Sequence, residues 1–248
     1  LVKTLESKTG GALREGLVGL FKRPVDALCA KLKAAADGIG CDEATLTRII
    51  GASSKPKALK IAERYKEKYD VDLRAMIRSE TGGNYRTALL TWIDGPDPTK
   101  GNGGNMTCTA DEYADMLYAA GAGRLGTDEK TFIDVITGRT LQEVQQIAAA
   151  YESRHGTSLE AAIRSEFSGS LETGLVNLLH EPLDVYARYM KDFCDGIGTN
   201  EEGLNRILGG SDKELVQLIS ARYFEKYGKT LEETLKSELG GDYKKACL

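Results

Sequence analysis

The sequence predicts an all-α protein made of repeated five-helix units. Three observations carry that prediction. Apolar residues recur at helical spacing along most of the chain. No segment alternates apolar with polar residues over a β-branched run, so no sheet is expected. One seven-residue phrase returns four times, beginning at Leu5, Ile77, Ile163 and Leu235. Its serines are Ser7, Ser79, Ser165 and Ser237, spaced by 72, 86 and 72 positions. A fixed period of this size marks one structural unit copied along the chain.

The elements follow in the same order in each copy. Val25, Leu28, Cys29, Leu32 and Ala36 form one apolar stripe; Tyr113, Met116, Leu117 and Ala120 form the next. Tyr186, Tyr189, Met190, Phe193 and Cys194 form the third, at i, i+3, i+4, i+7 and i+8. Pro24 and Pro182 precede two of these stripes, where a first helical turn tolerates proline. A glycine loop ends each first helix. A short second helix starts near Cys41, Thr127 or Thr199, and Thr199 to Glu202 has capping-box spacing.

A longer third helix covers Ala58 to Tyr69, Val144 to His155 and Leu215 to Tyr227, with Leu215, Leu218, Ile219 and Tyr223 facing inward. Tyr65, Tyr151 and Tyr223 are equivalent. A fourth helix is short, around Leu73 to Arg78. The Ser-Glu phrase makes a turn, and a fifth helix follows at Tyr85 to Ile93 or Leu171 to Leu179. Trp92 is expected in the core. About 16 helices result.

The longer interval has a visible origin. Asp94 to Asn105 is rich in Gly, Pro, Asn and Asp and has no periodicity, so it reads as a linker. The expected organisation is the end of one repeat at 1–24, a second repeat at 25–94, a linker at 95–108, a third repeat at 109–181 and a fourth at 182–248. The chain thus reads as the tail of one unit followed by three complete ones, with the missing part at the front.

Composition excludes several functions. The chain has 248 residues and a net charge of −4, with no basic footprint for nucleic acid. No apolar run reaches the length of a membrane span. Five cysteines, an odd number without a C-x-x-C pair, read as free thiols. His155 and His180 are the only histidines, which disfavours a His-based metal site. Neither a nucleophile–base pair nor a nucleotide-binding fingerprint is present, so no enzymatic activity is expected.

The chemistry lies in the loop after each first helix. Asp37-Gly-Ile-Gly-Cys-Asp-Glu43 and Asp195-Gly-Ile-Gly-Thr-Asn-Glu201 are two copies; Gly121-Ala-Gly-Arg-Leu-Gly-Thr-Asp-Glu129 is a longer third. Glycine lets the backbone take left-handed conformations, so that carbonyl oxygens can turn toward one point. Gly40 precedes Glu80 by 40 positions, Gly126 precedes Glu166 by 40 and Gly198 precedes Glu238 by 40. Carbonyls plus a carboxylate at constant separation suit calcium, which takes about six to eight oxygen ligands. One carboxylate leaves the ion positively charged, so each site should be weak alone and strengthened by an external anion such as phosphate.

These paired motifs, G-x-G-T-[DE] and S-[DE]-x-x-G in five-helix repeats, resemble the annexin family over essentially the whole chain. The resemblance implies an annexin-like array packed as a curved disc. It also implies Ca2+ as the bound ion and sites that bridge to an anionic phospholipid membrane. Carried over by position, the metal ligands are the carbonyls of Ala36, Gly38 and Gly40 with Glu80; those of Gly121, Arg124 and Gly126 with Glu166; and those of Cys194, Gly196 and Gly198 with Glu238. Minor sites would use Glu43, Glu129 and Glu201. Lys8 stands where the first phrase should carry its acid, so no such site is expected there. Cys41 replaces the usual threonine and puts that loop's helix cap in question; its own pKa is expected to fall near a helix start. Ile39, Leu125 and Ile197 are expected at loop tips that touch a bilayer. The implied location is cytoplasmic, peripheral on membranes when calcium rises. The rival reading is a scaffolding helical array with weakened calcium sites.

Overall fold

The computed structural model describes residues 2–37, 40–96, 106–123, 125–196 and 198–248. Among these residues every regular element is helical. The segment ahead of the second repeat supplies α1 (Val2–Lys8) and α2 (Gly11–Gly19). The second repeat supplies α3 (Pro24–Ala36), α4 (Glu43–Leu46), α5 (Lys55–Tyr69), α6 (Leu73–Glu80) and α7 (Gly83–Asp94). The third supplies α8 (Ala110–Ala120), α9 (Glu129–Thr137), α10 (Leu141–His155), α11 (Leu159–Glu166) and α12 (Gly169–Asn177). The fourth supplies α13 (Pro182–Cys194), α14 (Glu201–Gly209), α15 (Lys213–Tyr227), α16 (Leu231–Glu238) and α17 (Gly241–Cys247). Among the described residues each of these three repeats thus has five helices, with the π-helical turn Thr47–Gly51 continuing α4, and the segment ahead of them contributes two.

The repeated phrase is the end of one helix and the start of the next. In all four copies the serine hydroxyl donates to the carbonyl three residues back: Ser7 to Thr4 (3.0 Å), Ser79 to Met76 (2.9 Å), Ser165 to Ala162 (2.8 Å) and Ser237 to Thr234 (2.9 Å). The glycine that ends the phrase then takes a positive φ: 55° at Gly11, 53° at Gly83, 64° at Gly169 and 58° at Gly241. A Cβ is disfavoured in that left-handed region, which accounts for glycine at all four positions. Glu80, Glu166 and Glu238 are therefore the last residues of α6, α11 and α16, one turn ahead of a sharp change of direction.

The chain forms two compact units. One comprises Leu32–Pro182; the other comprises Leu1–Lys31 with Leu183–Leu248. The boundary does not follow the Gly-rich linker, because repeats two and three pack on each other. There α7 packs against α9 and α12, and Thr47 carries the junction. The Thr47 hydroxyl lies 2.8 Å from the Tyr85 hydroxyl and donates at 3.4 Å to the Ser170 carbonyl. The other unit repeats this arrangement with different residues. Asn205 accepts from the Tyr243 hydroxyl at 3.1 Å and donates to the Ala12 carbonyl at 2.9 Å. Gly16 lies against Asn205 as Gly174 lies against Thr47. At Gly16 a Cβ would stand 2.8 Å from the Asn205 Oδ1, so the close approach requires glycine there.

The core of the Leu32–Pro182 unit is apolar. Tyr113, Leu117, Phe132, Ile136, Ile147, Ile163 and Leu175 are all buried in one cluster. Each such aliphatic or phenyl side chain contributes roughly 1.5–3 kcal/mol on burial. The equivalent Tyr65, Tyr151 and Tyr223 are among the most deeply buried side chains.

Four expectations need correction. Met116 and Leu218 are exposed, because Ala114 and Ile219 occupy the inward faces of their helices. Trp92 is half-buried at the edge of the core, with its indole donating to the Ile50 carbonyl at 3.3 Å and the Lys55 ammonium 5.4 Å from its ring centre. Thr199 does not cap α14; Asn200 does, accepting from Gly203 N at 2.8 Å. Capping boxes occur instead at Thr109, Thr140 and Thr230, each with Glu at the third helical position.

Candidate calcium-binding loops

Each loop leaves its first helix and is closed by one backbone hydrogen bond. Asp42 N donates to Ala35 O at 2.9 Å, Asp128 N to Ala120 O at 2.7 Å, and Asn200 N to Phe193 O at 2.8 Å. The same three residues then cap the following helix through their side chains. The loop is therefore pinned at both ends. Position 41 lies outside this cap, so Cys41 in place of threonine leaves it intact: Asp42 Oδ1 accepts from Thr45 N at 3.0 Å.

The last glycine of each loop is left-handed. Its φ is 86° at Gly40, 79° at Gly126 and 87° at Gly198, and Gly196 has a φ of 99°. Gly38, Ile39, Arg124 and Ile197 lie outside the described residues. Ala36 and Cys194 end α3 and α13, and Gly121 follows α8. Leu125 is fully exposed at its loop.

The three acids stand at these loops. In repeat three the Thr127 hydroxyl donates to the Glu166 carboxylate. A Cβ built on Gly121 would lie 3.2 Å from Glu166 Cγ, which places the acid against the start of the same loop. In repeat four the Thr199 hydroxyl donates to the Glu238 backbone carbonyl at 3.2 Å. Burial pushes the Cys194 thiol up to about 11, and the charge on Glu238 is the next cause. In repeat two burial is again the main reason that the Cys41 thiol is raised, with Glu43, Glu80 and Asp42 adding to it. The expected fall at Cys41 is thus reversed: desolvation and three nearby carboxylates outweigh the helix start.

Two further acids near the loops are already paired, and the neighbouring backbone is tied down as well. Lys33 holds Asp37 and Lys191 holds Asp195, each pair one helical turn apart. The Glu43 carbonyl accepts from the Tyr85 hydroxyl at 2.8 Å and the Glu201 carbonyl from the Tyr243 hydroxyl at 3.0 Å. Glu129 accepts from Asn84 Nδ2 at 2.5 Å, a contact between repeats two and three that sequence spacing did not reveal. Lys8 ends α1, exposed, in the helix position that Glu80 holds in α6.

The donor set expected at these loops fits calcium. Among the described residues no three His, Cys, Asp or Glu side chains cluster as metal ligands. What each loop offers is backbone oxygen and one carboxylate, the hard ligands that calcium prefers.

Comparison with known proteins agrees with this repeat pattern. The annexin family profile matches residues 27–92, 112–178 and 186–248. The chain belongs to the annexin family. Annexin B10 of Drosophila melanogaster is 31% identical over 254 residues, covering 99% of this chain and 78% of its own length. Among solved structures, chicken annexin V in complex with Zn2+ has a TM-score of 0.86 at 26% identity, covering 99% of this chain and 78% of its own. Calcium-bound annexin (Sm)1 has a TM-score of 0.73 at 26% identity, with coverage of 99% and 74%. In this annexin the repeated phrase carries Glu80, Glu166 and Glu238 in repeats two, three and four, and Lys8 in its first copy.

Proposed function

We propose that this annexin binds anionic phospholipid membranes through calcium held in the loops of repeats two, three and four. The observation that carries the reading is that Glu80, Glu166 and Glu238 each lie near their own glycine loop, although 40 positions separate glycine from acid in the sequence. The ligands would be the carbonyls of Ala36, Gly38 and Gly40 with Glu80; of Gly121, Arg124 and Gly126 with Glu166; and of Cys194, Gly196 and Gly198 with Glu238. Calcium at such a loop keeps positive charge and open coordination positions, which lipid phosphate can fill.

The chain's own residues account for the weakness of each site. One carboxylate per loop neutralises only part of a divalent charge. The nearby Asp37 and Asp195 are engaged by Lys33 and Lys191. Three weak sites on one chain act together by avidity, so binding rises steeply with calcium. Leu125, fully exposed, would contribute apolar contact with the bilayer interface. The net charge of −4 gives the protein no attraction of its own for an anionic surface, which makes the cation necessary. Among the described residues no helix is long and apolar enough to cross a membrane, so attachment through these loops would be peripheral. The calcium in annexin (Sm)1 supports the same ion here. The protein acts on this reading as a calcium-responsive cytoplasmic binding protein and not as an enzyme.

Cosedimentation with phosphatidylserine vesicles tests the proposal. Binding is expected with calcium and not with chelator, and equal partitioning in both would overturn it. In that outcome the scaffolding reading takes over, supported by the paired repeats and by the loss of one acid at Lys8.

A further inference from the structure

The three loops hold their acids in three different ways. In repeat three the Thr127 hydroxyl, next in sequence to the proposed ligand Gly126, donates directly to the Glu166 carboxylate. In repeat four the Thr199 hydroxyl reaches the backbone carbonyl of Glu238 at 3.2 Å, and the carboxylate lies 3.2 Å from the hydroxyl of its neighbour Ser237, whose one proton is shared with the Thr234 carbonyl. In repeat two the corresponding side chain is the thiol of Cys41. There the Glu80 carboxylate lies 3.0 Å from the hydroxyl of its neighbour Ser79, whose one proton is shared with the Met76 carbonyl. Glu166 is correspondingly half-buried, while Glu80 and Glu238 are exposed.

We propose that Thr127 is a positioning residue for Glu166, and that the side chain at this loop position grades the three calcium sites. Repeat three is the tightest, repeat four intermediate and repeat two the weakest. The inference rests on the calcium reading above. The glutamate is the one charged ligand proposed for each site. A glutamate has three side-chain torsions, and an exposed one loses that freedom when it coordinates an ion. A hydroxyl from the carbonyl-bearing loop removes part of that loss in advance, because it fixes the acid relative to the other ligands. It uses one of about four acceptor positions on the carboxylate, so both oxygens remain able to face a cation. A serine on the acid's own helix end, such as Ser79, fixes the acid relative to that helix and not to the loop. A thiol is a weak donor and cannot substitute. Hydrogen bonds of this kind to ligating carboxylates usually alter metal affinity about 10- to 100-fold.

The test uses the full chain with phosphatidylserine vesicles, reading the calcium concentration at half-maximal cosedimentation. Each variant is made where the acids of the other two repeats are Gln, so that one loop reports. With repeat three alone, Thr127→Val should raise the calcium midpoint about tenfold and Thr127→Ser should return it to near the starting value. With repeat two alone, Cys41→Thr should lower the midpoint by a similar factor. Thermal melting of each variant separates loss of fold from loss of positioning, since the serine variant keeps the hydroxyl and the threonine variant adds one. Unchanged midpoints in Thr127→Val or in Cys41→Thr overturn the inference while leaving the calcium reading in place. Failure of the unsubstituted protein to cosediment at any calcium concentration overturns the calcium reading, and this inference with it.

Discussion

Repeats two and three share a loop design and differ in what surrounds it. Both close the loop with a backbone bond to the N-cap aspartate, at 2.9 Å in one and 2.7 Å in the other. Both end it on a left-handed glycine. In repeat three the loop also rests on aromatic packing. A Cβ on Gly121 would come within 3.2 Å of the Phe132 ring, and that ring lies edge-on to Phe167 at 5.1 Å. The positions equivalent to these phenylalanines in repeat two are Leu46 and Thr81, and the Thr81 hydroxyl is spent on the Ile77 carbonyl at 2.6 Å. The closing bond and the final left-handed glycine are thus common to both repeats, while the support beneath the loop and the bond to the acid belong to each repeat separately.

Removing that support should give the largest effect. Phe132→Ala should cost about 3–5 kcal/mol, as deletion of a buried phenyl ring generally does. Leu46→Ala should cost about 2–5 kcal/mol and fall below Phe132→Ala, because no aromatic pair is lost. Urea denaturation of the two variants measures both. A larger cost at Leu46 would mean that the aromatic pair does not set the difference between the loops.

A smaller and equal effect is expected where the loops are the same. Gly40→Ala and Gly126→Ala each force an L-residue into the left-handed region, at about 1–2 kcal/mol apiece. An added Cβ meets nothing within 4 Å at either position, so strain in φ is the whole effect. Melting temperatures of the two variants should drop together. Unequal drops would show that the two backbones differ as well as their side chains.

The smallest effect concerns the thiol that distinguishes repeat two. Burial, Glu43, Glu80 and Asp42 all raise the Cys41 pKa, so less thiolate is present at neutral pH than on an unperturbed cysteine. Iodoacetamide should therefore modify Cys41 more slowly than a model thiol, and Glu80→Gln should speed it modestly by removing one of the three charges. A slower reaction in Glu80→Gln would place the carboxylate away from the loop.

Much of this was legible in the sequence, for identifiable reasons. The spacing of Ser7, Ser79, Ser165 and Ser237 disclosed the repeat, and the constant 40 positions from glycine to acid pointed to each acid lying near its own loop. Helix positions followed from apolar periodicity, but facing did not always: Met116 and Leu218 fit their stripes by spacing, yet smaller or better-placed neighbours took the buried side. The cap was misassigned by one residue because Thr199 and Asn200 are both good caps, and only the turn geometry chooses between them. The bond from Thr127 to Glu166 had a signal, a hydroxyl 39 positions before the acid. Repeat four has the same spacing and makes a different bond, so spacing alone did not decide it. Contacts between repeats, such as Thr47 with Ser170 and Asn84 with Glu129, left no periodic trace at all.

A crystal grown with calcium and inspected for the ion's anomalous scattering tests the central claim most directly. Peaks are expected beside Glu80, Glu166 and Glu238, coordinated by the carbonyls of the adjoining glycine loops, with none beside Lys8. Saturating calcium with no ion at any of the three acids, or ions bound only elsewhere on the surface, would contradict it.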